Sequence, residues 1–166
     1  LIVAIISINL YISVHALTIT TYNLSTISTS LRILQLTDLH NSEFGTHNSR
    51  LINAVRAQSP DLILLIGDLL NSNEQRTDIA TNLITQLCEI APVYCSNGNH
   101  EVEYQEKYGV DVDKLYQEAG AVVLEKEYQD IIVNDQKIRL GGIYGYCLPG
   151  KYLETGQPVC DIINKS

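Results

Sequence analysis

Three short apolar runs constrain the fold of this chain more than any other feature: "LRILQLT" at 31–37, "LILLIG" at 62–67 and "VYCSNG" at 93–98. Each has the length of a β-strand. Between the first two, "NSRLINAVRAQ" puts Leu51, Ala54 and Val55 on one helical face. Between the second and third, "TDIATNLITQLCEI" repeats Ile79, Leu83, Leu87 and Ala80, Ile84, Cys88 at helical spacing. Pro60 and Asp61 break the first helix, and Pro92 ends the second. Apolar strands alternating with amphipathic helices predict an α/β domain, a βαβαβ unit around a parallel sheet buried on both faces.

The flanking segments are read less sharply. After the third run come two short helices split by Gly109, with Leu115 and Ala119 inward and Gly120 as a C-cap. "AVVLEKE", "QDIIVN" and "KIRLGGIYG" read as consecutive strands, the last two forming a hairpin that turns at Asn134-Asp135. Residues 1–20 form a charge-free apolar block of membrane-spanning length. Asn9 and His15 weaken that reading; a signal-peptide core is one alternative, and the β-branched residues would also suit a strand. Residues 21–30 read as a Ser/Thr-rich linker, and 31–166 as the α/β domain. The N-terminal block predicts a membrane-anchored protein with the domain outside the cytoplasm.

A net charge of -8 argues against a nucleic-acid partner, because phosphate backbones call for a Lys/Arg surface. The four cysteines, Cys88, Cys95, Cys147 and Cys160, include no C-x-x-C pair, so no zinc knuckle or redox motif is present. Cys147 and Cys160 could bridge in an oxidising compartment, or all four could be free thiols. The chain has no methionine, not even at position 1, and is expected to be a fragment or a processed product.

Each apolar run ends in a polar cluster. The first gives Asp38 and His40, the second Asp68 after Gly67, the third Asn99, His100 and Glu101 after Gly98. Taken alone, Gly98–Glu101 reads as a turn with a surface histidine. In an open parallel sheet, however, ligands bind outside the carboxyl ends of the strands, so all three clusters converge on one edge. Asp38 and His40 flank one residue, and on extended backbone both would project to the same side. A carboxylate such as Asp68 can bridge two cations about 3.5–4 Å apart, and Asn99 offers an amide oxygen. Mixed Asp, His and Asn ligands suit Mn, Fe or Zn. The glycines permit tight turns and close approach.

With D-x-H, G-D and G-N-H-E in this order, the chain from about Leu31 to Gly145 resembles the calcineurin-like metallophosphoesterase superfamily, in particular its bacterial membrane-anchored branch. The resemblance implies a four-layer α/β/β/α sandwich, here lacking its C-terminal part, and hydrolysis of a phosphate ester by a metal-bridging hydroxide. It implies two divalent cations, with Asp38 and His40 on the first, Asp68 bridging and Asn99 on the second. His100 would face the substrate phosphate as general acid or electrostatic partner, with Glu101 behind it. The substrate would be a phosphorylated small molecule or lipid. The family pattern needs three further histidines, yet this chain has only His15, His40, His47 and His100. His15 lies in the apolar block and His47 reads as a surface residue at a helix start. Truncation is the simplest account, and the chain is then expected to be a poor enzyme. The alternative is a catalytically inactive, membrane-anchored binding or regulatory module. A doubly wound nucleotide-binding domain is disfavoured, since no G-x-G-x-x-G loop is present. "EVEYQEK" reads as a solvated helix face, the tyrosines at 94, 104, 108 and 116 as core or helix-face residues, and the sequon in "YNLS" carries little weight.

Overall fold

The structure, a computed structural model, describes residues 16–23 and 30–142. The three apolar runs form β1 (Ile33–Leu36), β2 (Leu62–Ile66) and β3 (Val93–Ser96). The intervening segments form α1 (Ser49–Gln58) and α2 (Asp78–Cys88). Two short helices follow, α3 (Asn99–Tyr108) and α4 (Val112–Glu118), then a two-residue β4 (Val122–Val123). β5 (Glu127–Val133) and β6 (Gln136–Gly142) follow, and a short 3-10 turn (Thr46–Asn48) precedes α1.

β1 to β4 form one sheet in sequential order, and every pair in it is parallel. Right-handed crossovers in a sheet ordered this way bring successive helices to the same face. The burial pattern agrees. Leu34, Leu36, Ile63, Leu65, Val93, Cys95 and Val123 lie in register and join one core with Leu51, Val55, Leu83, Ile84, Leu87 and Tyr116 of the helices. At roughly 25 cal/mol per Å² of apolar surface buried, that shared face is the main source of the domain's stability.

The expectation of a sheet buried on both faces holds fully for the helical face and only in part for the other among the described residues, where Leu62 is buried. Ile33, Ile66 and Val122 point to the opposite face and remain exposed. β5 and β6 approach that face as an antiparallel hairpin. Its turn is tied to the start of β2 by Asn134 Nδ2, which donates to Asp61 Oδ1 at 2.8 Å. Asn134 and Asp135 both adopt positive φ (49° and 62°), as a two-residue turn between right-twisted strands requires. Directly across the hairpin, Arg139 donates two hydrogen bonds to Asp130. Among the described residues the layers are thus one of helices, the parallel sheet and the hairpin. Gly109 ends α3 in the left-handed conformation, and Leu115 and Ala119 pack inward as expected.

Most of the apolar block at 1–20 lies outside the described residues, as do Cys147 and Cys160. Residues 16–23 have no helical structure, and Leu17 packs against the domain core. Among the described residues no helix is long and apolar enough to cross a membrane.

Candidate metal centre

The loops after β1, β2 and β3 meet at the carboxyl edge of the sheet, and backbone hydrogen bonds lock them together. Asp38 N donates to Gly67 O at 3.2 Å, His40 N to Asp68 O at 2.9 Å and Asn41 N to Leu69 O at 2.8 Å. Gly67 N donates to Ser96 O at 3.0 Å. The D-x-H loop is in effect stitched onto the G-D loop, which is stitched onto the strand before G-N-H-E.

The backbone at this edge is not extended. β1 ends at Leu36, and Asp38, His40 and Asn41 have φ of 56°, 47° and 58°. Gly67 and Asp68 follow at 67° and 55°. Such conformations are costly for residues with a Cβ and collect at functional sites. Asp38 and His40 therefore share one side because of left-handed turns, not because of strand alternation as the spacing alone suggested. His40 Nε2 lies 3.9 Å from Asp38 Oδ1. Thr37 Oγ1 lies 2.7 Å from Asp38 Oδ2 and 2.7 Å from Ile66 O, so its single proton can hold either.

The glycines are required by space. A Cβ on Gly67 would stand 2.7 Å from the Gly98 backbone, and one on Gly98 would stand 2.2 Å from Asp68 Oδ1. With both positions empty of side chain, the Asp68 carboxylate reaches the N-terminus of α3. There Oδ1 accepts the His100 backbone N–H at 3.0 Å. The free N–H groups at a helix start favour an anion in that place.

Glu101 holds this arrangement from behind. It is fully buried and accepts four hydrogen bonds. Oε2 takes Asp68 N (2.7 Å) and Gly98 N (2.8 Å), and Oε1 takes Leu70 N (2.9 Å) and the Tyr116 hydroxyl (3.0 Å). One carboxylate thus satisfies the buried donors of two loops and ties them to α4. Burial, together with the charge of Glu101, pushes the Tyr116 hydroxyl well above its ordinary value, so it stays a donor. The reading of "EVEYQEK" as a solvated face is corrected here, since Glu101 and Tyr104 are buried.

Ligand-capable atoms of His40, Asp68 and His100 all lie within 4.8 Å of one another. The His40 and His100 rings meet edge to face at 4.4 Å. Buried His40 Nδ1 has no hydrogen-bond partner, the condition expected of a nitrogen whose partner is a cation. With Asp38 alongside, carboxylate oxygens and imidazole nitrogens converge from the segments after β1, β2 and β3, and this donor set fits a divalent transition metal. Asn99 opens α3 beside His100 and is exposed. His47 is exposed, and its carbonyl accepts from Gln86 Nε2. His15 lies outside the described residues. A cavity of about 440 Å³ runs from Asp38 and Asp68 down to Leu64, Tyr94 and Leu140, between the sheet and the hairpin.

Two participants were not legible beforehand. Ser72, buried against α3, contacts His100, yet a serine in the turn-rich "NSNEQRT" shows no pattern. Tyr116 reads as a core residue, and nothing in its spacing points to Glu101.

Residues 31–163 match the family model described as calcineurin-like phosphoesterase. An uncharacterized metallophosphoesterase of Bacillus subtilis (strain 168), YkoQ, is 26% identical over 118 residues, which cover 70% of this chain and 44% of that protein. The match therefore spans less than half the length of that relative.

Proposed function

The chain belongs to the calcineurin-like phosphoesterase family, and on that premise we propose that it hydrolyses a phosphate ester with a pair of divalent cations held by Asp38, His40, Asp68 and Asn99. The observation that carries this reading is the convergence of His40, Asp68 and His100 within 4.8 Å, with Asp38 against His40. Bound there, cations of the Mn, Fe or Zn type neutralise phosphate oxygens and acidify water.

The chain's own residues do the rest. Asp68 would bridge the cations, its orientation set by the His100 N–H and by the backbone that Glu101 anchors. His100 faces the same space and donates a hydrogen bond to the phosphate. Water adds its oxygen to phosphorus as the bond from phosphorus to the leaving oxygen breaks, and the His100 N–H donates a hydrogen bond to that departing oxygen. The proton given up by the attacking water passes to the leaving oxygen, so the protons balance and His100 keeps its own. The substrate we assign is a phosphorylated small molecule or lipid. The apolar block at 1–20 supports a membrane-anchored protein acting on substrate outside the cytoplasm.

The second reading, a non-hydrolytic binding module of the same fold, draws on the site gathering only two imidazoles, His40 and His100, around Asp68 among the described residues. One experiment separates them. Mn is titrated calorimetrically into the chain, and hydrolysis of bis(4-nitrophenyl) phosphate is followed in the same solution. Mn-dependent turnover that disappears in Asp68→Asn supports the enzyme, slow turnover being expected with so few imidazole ligands. Binding without turnover selects the module. A chain that binds no divalent cation overturns both.

A further inference from the structure

We propose that Ser72 is a positioning residue that fixes His100 with its proton on Nε2, making His100 a hydrogen-bond donor to substrate and not a metal ligand. The catalytic consequence rests on the phosphoester-hydrolase reading above; the positioning itself does not.

Ser72 lies in the loop after β2, four residues beyond Asp68, and is 5% exposed. Three of its groups are engaged by α3. Its backbone N–H donates to His100 Nδ1 at 3.2 Å. Its hydroxyl donates to Glu103 Oε2 at 2.8 Å and lies 3.1 Å from the same Nδ1. Its carbonyl accepts from Lys107 Nζ at 3.1 Å. His100, Glu103 and Lys107 sit at i, i+3 and i+7, a single stripe of the helix. That stripe clasps one serine.

The chemistry follows from counting protons. A backbone N–H aimed at Nδ1 needs a lone pair there, so Nδ1 carries no hydrogen and a neutral imidazole must hold its proton on Nε2. The opposite tautomer would set two N–H groups against each other. Glu103 has only acceptors to offer as a carboxylate, so it draws the Ser72 hydroxyl proton to itself and keeps the loop seated. Nε2 is then the nitrogen left to face His40 and Asp68. A protonated nitrogen has no lone pair for a cation, whereas it can donate to a phosphate or leaving oxygen. Proximity alone would count His100 among the metal ligands; the hydrogen bond from Ser72 assigns it to the substrate.

The test reads the tautomer directly. Long-range ¹H–¹⁵N correlation is recorded on the metal-free chain, with the His100 signals identified by their loss in His100→Gln. An unprotonated Nδ1 and a protonated Nε2 are expected. In Ser72→Ala the clasp opens, mixed tautomers appear, and kcat with bis(4-nitrophenyl) phosphate falls about tenfold at unchanged KM and Mn affinity, the size typical of losing a supporting hydrogen bond. Ser72→Thr restores both readouts. Should Ser72→Ala not fold, Glu103→Ala, at an exposed position, is expected to give the same change in the spectrum. A wild-type His100 protonated on Nδ1 overturns the proposal, as does a folded Ser72→Ala with unaltered tautomer and kcat. An Nε2–H His100 whose tautomer mixes in Ser72→Ala, in a chain without turnover, upholds the positioning role and overturns the hydrolase reading. An Nδ1–H His100 in an active chain does the reverse.

Discussion

Replacing Glu101 tests whether one carboxylate holds the site together. In Glu101→Ala, three backbone N–H groups (Asp68, Leu70, Gly98) and the Tyr116 hydroxyl lose their acceptor. Each buried donor left unmade costs about 1–3 kcal/mol, so even the low end sums to about 4 kcal/mol. Against a whole-domain stability of about 5–15 kcal/mol, that loss removes at least about a quarter of the fold's margin. Glu101→Gln is gentler. Its amide oxygen can keep Asp68 N and Gly98 N, and its NH₂ can donate to a rotated Tyr116 hydroxyl. Only Leu70 N is left facing a donor, for a cost of about 1–3 kcal/mol. The assay is urea denaturation followed by far-UV circular dichroism. With a slope of about 2 kcal/mol per molar urea, the alanine variant should lose at least about 2 M in midpoint and the glutamine variant about 0.5–1.5 M. The reasoning is refuted if Glu101→Ala costs less than about 1 kcal/mol, or if the two variants unfold together.

Gly98→Ala should be destabilised and should lose cation binding in calorimetry, because the new Cβ would stand 2.2 Å from Asp68 Oδ1 and must displace that carboxylate. The hairpin carries a pH dependence at the acid end. Arg139, then Lys137, hold the Asp130 carboxyl down at about 2, against an ordinary 3.8. A depressed folded value means that unfolded chains take up the proton first, so the contribution is fully present above pH 3.8 and is lost as pH falls through about 2. A ¹³C carboxyl titration should find that low midpoint in the wild type and a rise toward the ordinary value in Arg139→Gln. Burial pushes the Cys95 thiol up to about 12. Iodoacetamide at neutral pH, with peptide mapping, should therefore modify Cys95 only after denaturation, since the reactive thiolate is absent from the folded chain.

What the order of residues determined on its own is the frame and the list of candidates. Strand-length apolar runs alternating with helical periodicity require a parallel α/β sheet, because only that arrangement buries both kinds of element. Placing Asp38, His40, Asp68 and Asn99 at strand ends then brings them to one edge without further information, as topology alone dictates. The turn at Asn134-Asp135 was legible for a similar reason: its conformation is a local property of those two residues.

The tertiary structure decided everything that depends on distance across loops. That the second face of the sheet carries the hairpin and no helix among the described residues follows from strand order, since sequential strands collect their helices on one side; Leu62 is buried there while Ile33, Ile66 and Val122 stay exposed. The left-handed turns at Asp38, His40 and Asp68 are imposed by hydrogen bonds between loops that are remote in sequence. Glu101 shows the division within a single residue. Its place in G-N-H-E marks it as part of the site, while its four donors come from residues 68, 70, 98 and 116. Ser72 lies wholly on the tertiary side, because a serine becomes a clasp for a histidine only when a helix lays His100, Glu103 and Lys107 against it.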